Sequence, residues 1–216
     1  FFLVSSVSLL AISDHIVVFY LSWMGANALL VRMMMHKTAW KAARQSGLLA
    51  AKNYALGGIF LALGLFFLYQ ETHQVSISKI IQSPVSVSPY AIGCLLLAAL
   101  TQSALWPFHK WLASSLNSPT PVSAMMHAGL VNGGGFVLAR FAPLYLESSS
   151  FLSLIFVLGI VSATLGTLWK LVQSDVKRNL ACSTIGQMGF MLAQCGLGLF
   201  SAALTHLVMH GLFKAY

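Results

Sequence analysis

The chain has 216 residues, of which 58% are hydrophobic and only 7% are charged. Soluble domains carry about 25% charged residues, so this composition excludes an ordinary soluble domain and is typical of a polytopic membrane protein. The formal net charge of +8 arises from 12 basic against 4 acidic residues, and because the basic residues cluster between apolar segments, it indicates membrane topology and not binding of nucleic acid.

The first three apolar segments predict membrane helices over about 1–12, 16–35 and 48–69. A bilayer core of ~30 Å requires ~20 apolar residues per helix, so the first segment is short for a complete span. Asp14 and His15 lie at the junction of the first two segments. A basic stretch separates the second segment from the third, and a polar, serine-rich loop follows the third.

The fourth apolar segment begins near Pro89 and meets Pro107. Proline lacks a backbone N–H and clashes with the preceding turn, which predicts a kinked or broken helix near Pro107. A broken helix leaves backbone polar groups that protein or water must satisfy, and transporters place ion sites at such breaks. Gln102 and Ser103 precede this proline, so we expect a hydrated pocket there; a purely structural kink is the alternative.

Four more membrane helices are predicted after the break. The pattern places them at about 122–141, 151–171, 180–197 and from Phe200 onward. His127 lies about two turns into the first of these helices. It is one of several polar side chains that the sequence places inside apolar spans.

His206, His210 and Lys214 are spaced four residues apart in the last apolar segment. Positions four apart on an α-helix differ by only ~40° in direction, so the three side chains share one face over roughly 12 Å. Ionisable groups at membrane depth cost several kcal/mol unless they face protein or water, so this row predicts an ion pathway. The alternative is two buried histidines bonded to backbone and a lysine that reaches the membrane interface.

A buried lysine requires a partner, and few carboxylates of this chain lie deep enough to serve. The candidates for Lys214 are Asp14, a residue beyond this chain, or another subunit. The sequence alone leaves these three alternatives open.

The basic residues also predict the orientation of the spans. When the loop after the second span is placed inside and the following loops alternate, most basic residues fall inside. The outside then holds Lys79 and Arg140. The inside holds Arg32, Lys37, Lys41, Arg44, Lys52, Lys110, Lys170, Lys177 and Arg178.

No sequence pattern predicts a catalytic site, a bound cofactor or a metal site. Cys94, Cys182 and Cys195 lie in apolar segments without the spacing of metal ligands. No His, Cys, Asp or Glu cluster has the spacing of a zinc site, and no nucleophile–base pair can be recognised. The chain begins with Phe-Phe and stops within a helical pattern, so we expect a fragment of a longer protein.

Two stretches of the sequence resemble one family of membrane proteins. The first is QSALWPFHKWL at 102–112, which leads into SPTPVSAMMHAG at 118–129. The second is QSDVKRNLACSTIGQMG at 173–189, which leads to the histidine–lysine row. Both stretches are similar to the proton-translocating, antiporter-like membrane subunits of respiratory complex I and the Mrp antiporters. The resemblance extends over nearly the whole chain.

The resemblance implies an all-α transmembrane helix bundle built from two inverted five-helix repeats, each with a broken helix, around a polar axis. Residues 1–145 would form the first repeat, incomplete at its N-terminus, and residues 146–216 would start the second, incomplete at its C-terminus. Ser103 and Pro107 belong to the broken-helix region. The residues expected along the proton path are His127, His206, His210, Lys214, Gln102 and Asp14.

We assign each of these path residues an expected role. His206 and His210 relay protons, and Lys214 is the switchable charge. His127 links the two repeats, while Gln102 and Asp14 line or gate the entrance to the path.

The chain departs from the family pattern at two positions. The antiporter members carry a glutamate after the tryptophan of the second span and a lysine before Ser-Ala in the broken helix. This chain has Met24 and Gln102 at those positions. The loss of the charged pair argues against conventional pumping through the first repeat.

The segment from His127 to Phe136, followed by Arg140 and Pro143, is most similar to the membrane subunit (DabB) of the DAB inorganic-carbon transporters. This resemblance implies uptake of CO2 or bicarbonate across a bacterial inner membrane, coupled to H⁺ or Na⁺. It also implies a large zinc-containing, carbonic-anhydrase-like partner (DabA), with no cofactor in this chain. The alternatives are a pump or Na⁺/H⁺ antiporter subunit of complex I or Mrp type, such as a membrane subunit of NADH-quinone oxidoreductase, and a passive anchor.

Overall fold

The computed structural model describes residues 1–37 and 39–215, and these residues form an all-α bundle without β-strands. The predicted fold class is therefore confirmed. The helices in chain order are α1 (Phe2–Ile12), α2 (Ile16–Met34), α3 (Lys41–Thr72), α4 (Ile77–Gln82), α5 (Pro89–Gln102), α6 (Lys110–Ala113), α7 (Thr120–Ala128), α8 (Gly133–Arg140), α9 (Ala142–Leu146), α10 (Ser149–Leu171), α11 (Val176–Gly196) and α12 (Phe200–Ala215).

Among residues 1–37 and 39–215, four helical segments are long and apolar enough to cross a membrane, so the chain is a multi-pass membrane protein. They are α2, α3, α10 and the segment Thr120–Arg140, which α7 and α8 form together with the turn between them. The sequence predicted about eight spans. The others are shorter or more polar: α1 has 11 residues, α5 has 14 and α12 has 16, while α11 carries several polar side chains.

Helix α3 is longer than predicted at both ends. It begins at Lys41 and not near Leu48, because Lys, Ala, Arg and Gln in its first two turns are good helix formers. It ends where His73 takes a left-handed conformation with φ 52°. The polar loop that follows contains the short helix α4, which Ser76 caps by accepting a hydrogen bond from the backbone N–H of Lys79.

Two basic residues that the sequence places on opposite sides of the membrane lie at opposite ends of the bundle. At one end, Arg140 lies 3.4 Å from the Asp14 carboxylate. Lys177, which the sequence places on the inside, donates to the backbone carbonyls of Leu116 and Ser118 at 3.1 Å each. The 23 residues of α10 separate Arg140 from Lys177 along the chain and are about 35 Å long. Arg140 and Lys177 therefore occupy different ends of the bundle, while the side of the membrane that each end faces stays a prediction.

Helix α5 breaks as predicted, but four residues before the proline. The ring of Pro107 would clash with the carbonyl of Ser103 in a continuous helix, so the last helical residue is Gln102. Ala104 then takes a left-handed conformation with φ 51°, and the Trp106–Pro107 peptide is cis. The chain becomes helical again only at α6.

The predicted continuous helix over 122–141 is wrong, because a second break interrupts it. Helix α7 ends at Ala128, a tight 3₁₀ turn covers Leu130–Asn132, and α8 begins at Gly133. Glycine is the poorest helix former after proline, and Gly129 lies at the break. The freed backbone carbonyls find side-chain partners, so the interruption leaves them satisfied.

Helices α10 and α11 pack backbone against backbone. A Cβ atom added to Gly166 would lie 2.7 Å from the Cα of Gly186, and one added to Gly189 would lie 2.8 Å from the Cα of Ala163. Small residues allow helices to approach this closely in membranes. Asp175 caps α11 by accepting a hydrogen bond of 2.8 Å from the Arg178 N–H. This packing fixes α11, which carries several polar partners of the site.

Candidate functional site: a polar axis between two helix breaks

The two helix breaks meet in the interior of the bundle. Gln102 Nε2 donates to the carbonyl of Leu130 at 3.0 Å, and Ser103 Oγ donates to the carbonyl of Val131 at 2.7 Å. Each side chain comes from the break after α5, and each carbonyl comes from the break between α7 and α8. Backbone groups without helical partners are tolerated at membrane depth only where protein or water satisfies them. Here side chains of one break satisfy carbonyls of the other.

Gln102 also forms a buried amide pair with Asn27 of α2. The Asn27 Nδ2 donates to Gln102 Oε1 at 3.1 Å, and Gln102 Nε2 donates to Asn27 Oδ1 at 2.9 Å. Both residues are at most 3% exposed. Asn27 lies one turn after Met24, so a neutral pair occupies the region where the family pattern has a glutamate and a lysine.

A cavity of about 160 Å³ adjoins this pair. Its lining is largely apolar, but it includes the amides of Asn27, Gln102 and Asn132. A buried water requires polar partners and about 10–15 Å³ of such volume, so this cavity can hold several waters near the three amides. It connects the surroundings of Gln102 to those of Asn132.

His206 lies between two glutamines of α11. Its Nδ1 is 3.1 Å from Gln194 Oε1, and its Nε2 is 3.1 Å from Gln187 Oε1. The rings of His206 and His210 have centroids 6.3 Å apart. The predicted face of α12 therefore turns towards polar partners on α11.

His210 and Lys214 continue the same face of α12. His210 is 5% exposed, and its Nδ1 lies 3.3 Å from Oδ1 of Asn132. Lys214 Nζ donates to Ser183 Oγ of α11 at 3.3 Å. All three residues of the row thus bind polar side chains, and none of the three is enclosed only by aliphatic groups.

His127, on α7, is the last member of the group of polar residues that we call the axis. The other members are Asn27, Gln102, Asn132, His206, His210 and Lys214, with their polar partners on α11. The ring of His127 is 2% exposed, and Nδ1 lies 3.1 Å from Thr184 Oγ1. Thr184 is next to Ser183, the partner of Lys214, on α11. His127 and Lys214 therefore contact neighbouring hydroxyl groups.

Asp14 lies apart from this group. Its carboxylate accepts hydrogen bonds from the Ser76 hydroxyl and from the Ser78 backbone N–H and hydroxyl, the last two at 2.9 and 2.6 Å. Arg140 adds the ion pair described above. These hydrogen bonds, first that from Ser76, lower the pKa of Asp14 from 3.8 to about 2. Of the partners considered for Lys214, Asp14 is therefore engaged elsewhere.

The axis contains no carboxylate from the described residues. The four acidic residues lie at helix ends or in connections: Asp14, Glu71, Glu147 and Asp175. Within 1–37 and 39–215, no group of three or more His, Cys, Asp or Glu side chains is placed to hold a metal ion. The axis consists of imidazoles, one ammonium group, amides and hydroxyls.

Sequence reasoning missed four amide residues of the axis: Asn27, Asn132, Gln187 and Gln194. The sequence signal that could have identified these residues is an amide side chain within an otherwise apolar helix. Gln187 and Gln194 are seven residues apart and thus share a helix face. Their partners depend on how the helices pack, which spacing along one helix does not specify.

Comparisons with known proteins agree with this architecture. The sequence matches the sequence model of the family described as NADH:quinone oxidoreductase/Mrp antiporter, TM, over residues 13–216. It is 37% identical to the "Probable inorganic carbon transporter subunit DabB1" of Halothiobacillus neapolitanus, over 97% of this chain and 39% of that protein. It is 33% identical to the "NADH-quinone oxidoreductase subunit L" of Buchnera aphidicola, over 98% of this chain and 36% of that protein.

A solved structure of the Mrp complex from Dietzia sp. DQ12-45-1b is similar throughout. The TM-score is 0.93 at 29% sequence identity, and the match covers 99% of this chain and 24% of that chain. The chain spans less than two fifths of the length of the L subunit, and 39% of the length of the DabB1 relative.

Proposed function

The chain belongs to the family of NADH:quinone oxidoreductase and Mrp antiporter membrane subunits, and we propose that it conducts H⁺ along the polar axis to energise a partner. The observation that carries this proposal is the row of polar side chains that runs from Asn27 and Gln102, across the adjoining cavity, to Asn132, His210 and His206. Ionisable and amide groups are costly at membrane depth and serve ion pathways there by default.

The proposed path has two arms that meet on α12. One arm runs from the buried amide pair through the adjoining cavity to the surroundings of Asn132, whose amide holds the His210 ring. The other runs through Lys214 and His127, by way of the hydroxyls of Ser183 and Thr184. The contact of His127 with Thr184 crosses the proposed boundary between repeats 1–145 and 146–216, which supports the role of His127 as a link.

The proposed physiological task is uptake of inorganic carbon across a bacterial inner membrane. It would require a large zinc-containing, carbonic-anhydrase-like partner that hydrates CO2. The similarity to the inorganic carbon transporter subunit supports this task. So does the neutral pair of Asn27 and Gln102, because a charged pair drives the usual pumping model.

Substitution of the row on α12 tests the proposal. In the full-length subunit with its partner, Lys214→Ala and His210→Ala should each abolish proton influx and bicarbonate uptake, because each removes a titratable group from the path. Influx is measured with a pH-sensitive dye in proteoliposomes, and uptake with labelled bicarbonate. Lys52→Ala, at an exposed position of α3, is the matched control and should transport normally. Wild-type uptake in both row variants would refute the proposal.

The second candidate is a pump or antiporter subunit of complex I or Mrp type. The match to the Mrp complex and the L subunit favours it. Purification of the native complex separates the candidates: bound zinc with bicarbonate uptake supports the first, whereas NADH-driven or Na⁺-driven proton movement supports the second. A passive anchor is distinguished by an uncoupler, since the partner of an anchor should keep working after the gradient collapses.

A further inference from the structure

We infer that Asn132 fixes the tautomer of His210, so that Nε2 is the one atom through which this histidine takes up and releases a proton. The significance of this assignment rests on the proposed proton path. The tautomer itself can be measured without any transport.

The orientation of the Asn132 amide follows from the second helix break. In a continuous helix the Asn132 backbone N–H would donate to the carbonyl of Ala128. It instead donates to the carbonyl of Gly129 at 3.0 Å. The Ala128 carbonyl then accepts from Asn132 Nδ2 at 2.7 Å. Because a carbonyl can only accept, the nitrogen of the amide must face Ala128, and the Oδ1 atom must face away from it.

The position of Oδ1 determines which nitrogen of His210 carries hydrogen. Oδ1 lies 3.3 Å from His210 Nδ1 and can only accept, so Nδ1 must be the donor. The hydrogen bond at one ring nitrogen sets the protonation of the other. The neutral ring therefore has its lone pair on Nε2, which is buried and has no hydrogen-bond partner among the described residues.

In this arrangement only one atom of His210, Nε2, can exchange a proton. A proton that binds Nε2 converts the neutral ring to an imidazolium ion with hydrogen on both nitrogens. The amide oxygen of Asn132 is a very weak base, so the hydrogen on Nδ1 cannot pass to it. The bound proton must leave from Nε2, so we infer that His210 is a holding site and not the two-sided relay that the sequence led us to expect.

His206 differs from His210 in this respect. Its two ring nitrogens face Gln194 and Gln187, whose side-chain amides have no second hydrogen bond within the described part of the chain. Both amides can therefore rotate to present oxygen or nitrogen to the ring. The tautomer of His206 is not fixed by the fold, whereas that of His210 is.

Glycine at position 211 permits the close approach that this geometry requires. A Cβ atom at Gly211 would lie 2.9 Å from the Ala128 carbonyl oxygen and 3.6 Å from Asn132 Nδ2. Helix α12 thus lies directly against the break that orients Asn132.

Solid-state NMR of the ¹⁵N-histidine-labelled, full-length subunit in its complex tests the inference, since ¹⁵N shifts report which ring nitrogen carries hydrogen. At alkaline pH, where the ring is neutral, wild-type His210 should carry hydrogen on Nδ1 and none on Nε2; loss of the signal in His210→Gln identifies it. Asn132→Ala should move hydrogen to Nε2, the form that free histidine prefers in water. Asn132→Asp keeps an acceptor and should retain hydrogen on Nδ1.

Asn53→Ala is the matched control, because Asn53 donates to the Thr101 carbonyl at the other break and does not touch His210. It should leave the His210 signal unchanged. Hydrogen on Nε2 in the wild type, its retention on Nδ1 in Asn132→Ala, or its loss from Nδ1 in Asn132→Asp would overturn the inference. If Asn132→Ala fails to assemble, the spectra of the wild type and of Asn132→Asp decide whether the inference holds. If His210 shows the expected tautomer but the complex moves no protons, the proposed function is refuted and the inference on the tautomer stands.

Discussion

The buried amide pair of Asn27 and Gln102 shows how single residues set the character of the axis. A lysine at position 102 would bring a charge that needs a counterion, whereas a glutamine is satisfied by the neutral Asn27 and by the Leu130 carbonyl. Removal of Gln102 leaves the Asn27 amide buried without its partner, and removal of Asn27 leaves Gln102 Oε1 unpaired; a buried polar group left unpaired costs about 1–3 kcal/mol. Removal of both partners costs less than the sum.

A double-mutant cycle should detect this coupling. Asn27→Ala and Gln102→Ala should each destabilise the subunit by about 1–3 kcal/mol, and the double variant should lose about 1 kcal/mol less than the sum. The free energy of unfolding is measured by denaturant titration in detergent micelles. Ser22→Ala on the same helix is the control, because the buried Ser22 hydroxyl has no partner among the described residues. Additive effects of Asn27→Ala and Gln102→Ala would contradict the prediction.

The sequence allowed the residues of the α12 row to be predicted, but not their partners. The four-residue spacing of His206, His210 and Lys214 is a property of one helix and needs no tertiary information. That His210 binds Asn132 depends on a break in a helix 78 residues earlier in the chain. Contacts of this kind follow only from the packed structure.

At the scale of helices, the two breaks differ in how well the sequence predicts them. Pro107 removes a hydrogen-bond donor and clashes with Ser103, so the first break follows from one residue. The second break has only Gly129 as a local cause, and glycine costs about 1 kcal/mol in a helix, which packing readily overrides. Hydrogen bonds from Gln102 and Ser103 to the freed carbonyls stabilise it. These tertiary contacts are why a continuous helix was wrongly predicted.

The contact between α10 and α11 should tolerate no added methyl group at Gly189. Its Cβ would lie 2.8 Å from the Cα of Ala163, so Gly189→Ala must separate the helices and should cost about 1–3 kcal/mol. The melting temperature of the purified full-length subunit measures this loss. Gly93→Ala is the control: the nearest atoms are ring carbons of Phe151 at 3.8 Å, so it should be neutral or stabilising. Equal melting of Gly189→Ala and wild type would contradict the prediction.

At the scale of the whole molecule, composition predicted the class of protein, and charge predicted that Arg140 and Lys177 lie at different ends. The low charge content indicated membrane helices, and the basic loops indicated which residues lie together at each end. The Asp14 cluster, which consists of Asp14, Ser76, Ser78 and Arg140, was not predicted, although both Asp14 and Arg140 were noted in the sequence. Its formation requires the C-terminal ends of α1 and α8 to meet the N-terminal end of α4, which is a consequence of the assembled bundle.

The Asp14 cluster should stabilise the bundle in a pH-dependent way. Its pKa is lowered from 3.8 to about 2 by hydrogen bonds, first from Ser76. A carboxylate with a lowered pKa stabilises the fold fully above its unfolded value, and this stabilisation disappears as pH falls through the folded value. The stability difference between wild type and Asp14→Asn should be constant above about pH 4 and shrink towards pH 2.

Thermal unfolding of both proteins across this pH range measures the difference. Glu147→Gln serves as the control, because Glu147 is exposed and its side chain makes no hydrogen bond within the described residues. Its stability should follow that of the wild type at every pH. A stability difference for Asp14→Asn that does not change between pH 4 and pH 2 would contradict the prediction.

The hydrogen bonds that cross between the two breaks have a mechanical consequence. A shift of the Leu130–Asn132 turn along α5 by one residue would detach both bonds at once. The Ser103 hydroxyl and the two carbonyls would then lack partners in an interior without bulk water, while Gln102 would keep only its bonds to Asn27. These bonds therefore oppose sliding of the two interrupted helices along each other. On the proposed proton path, the rearrangements are therefore expected in α12, whose contacts with α11 are made by rotatable side chains.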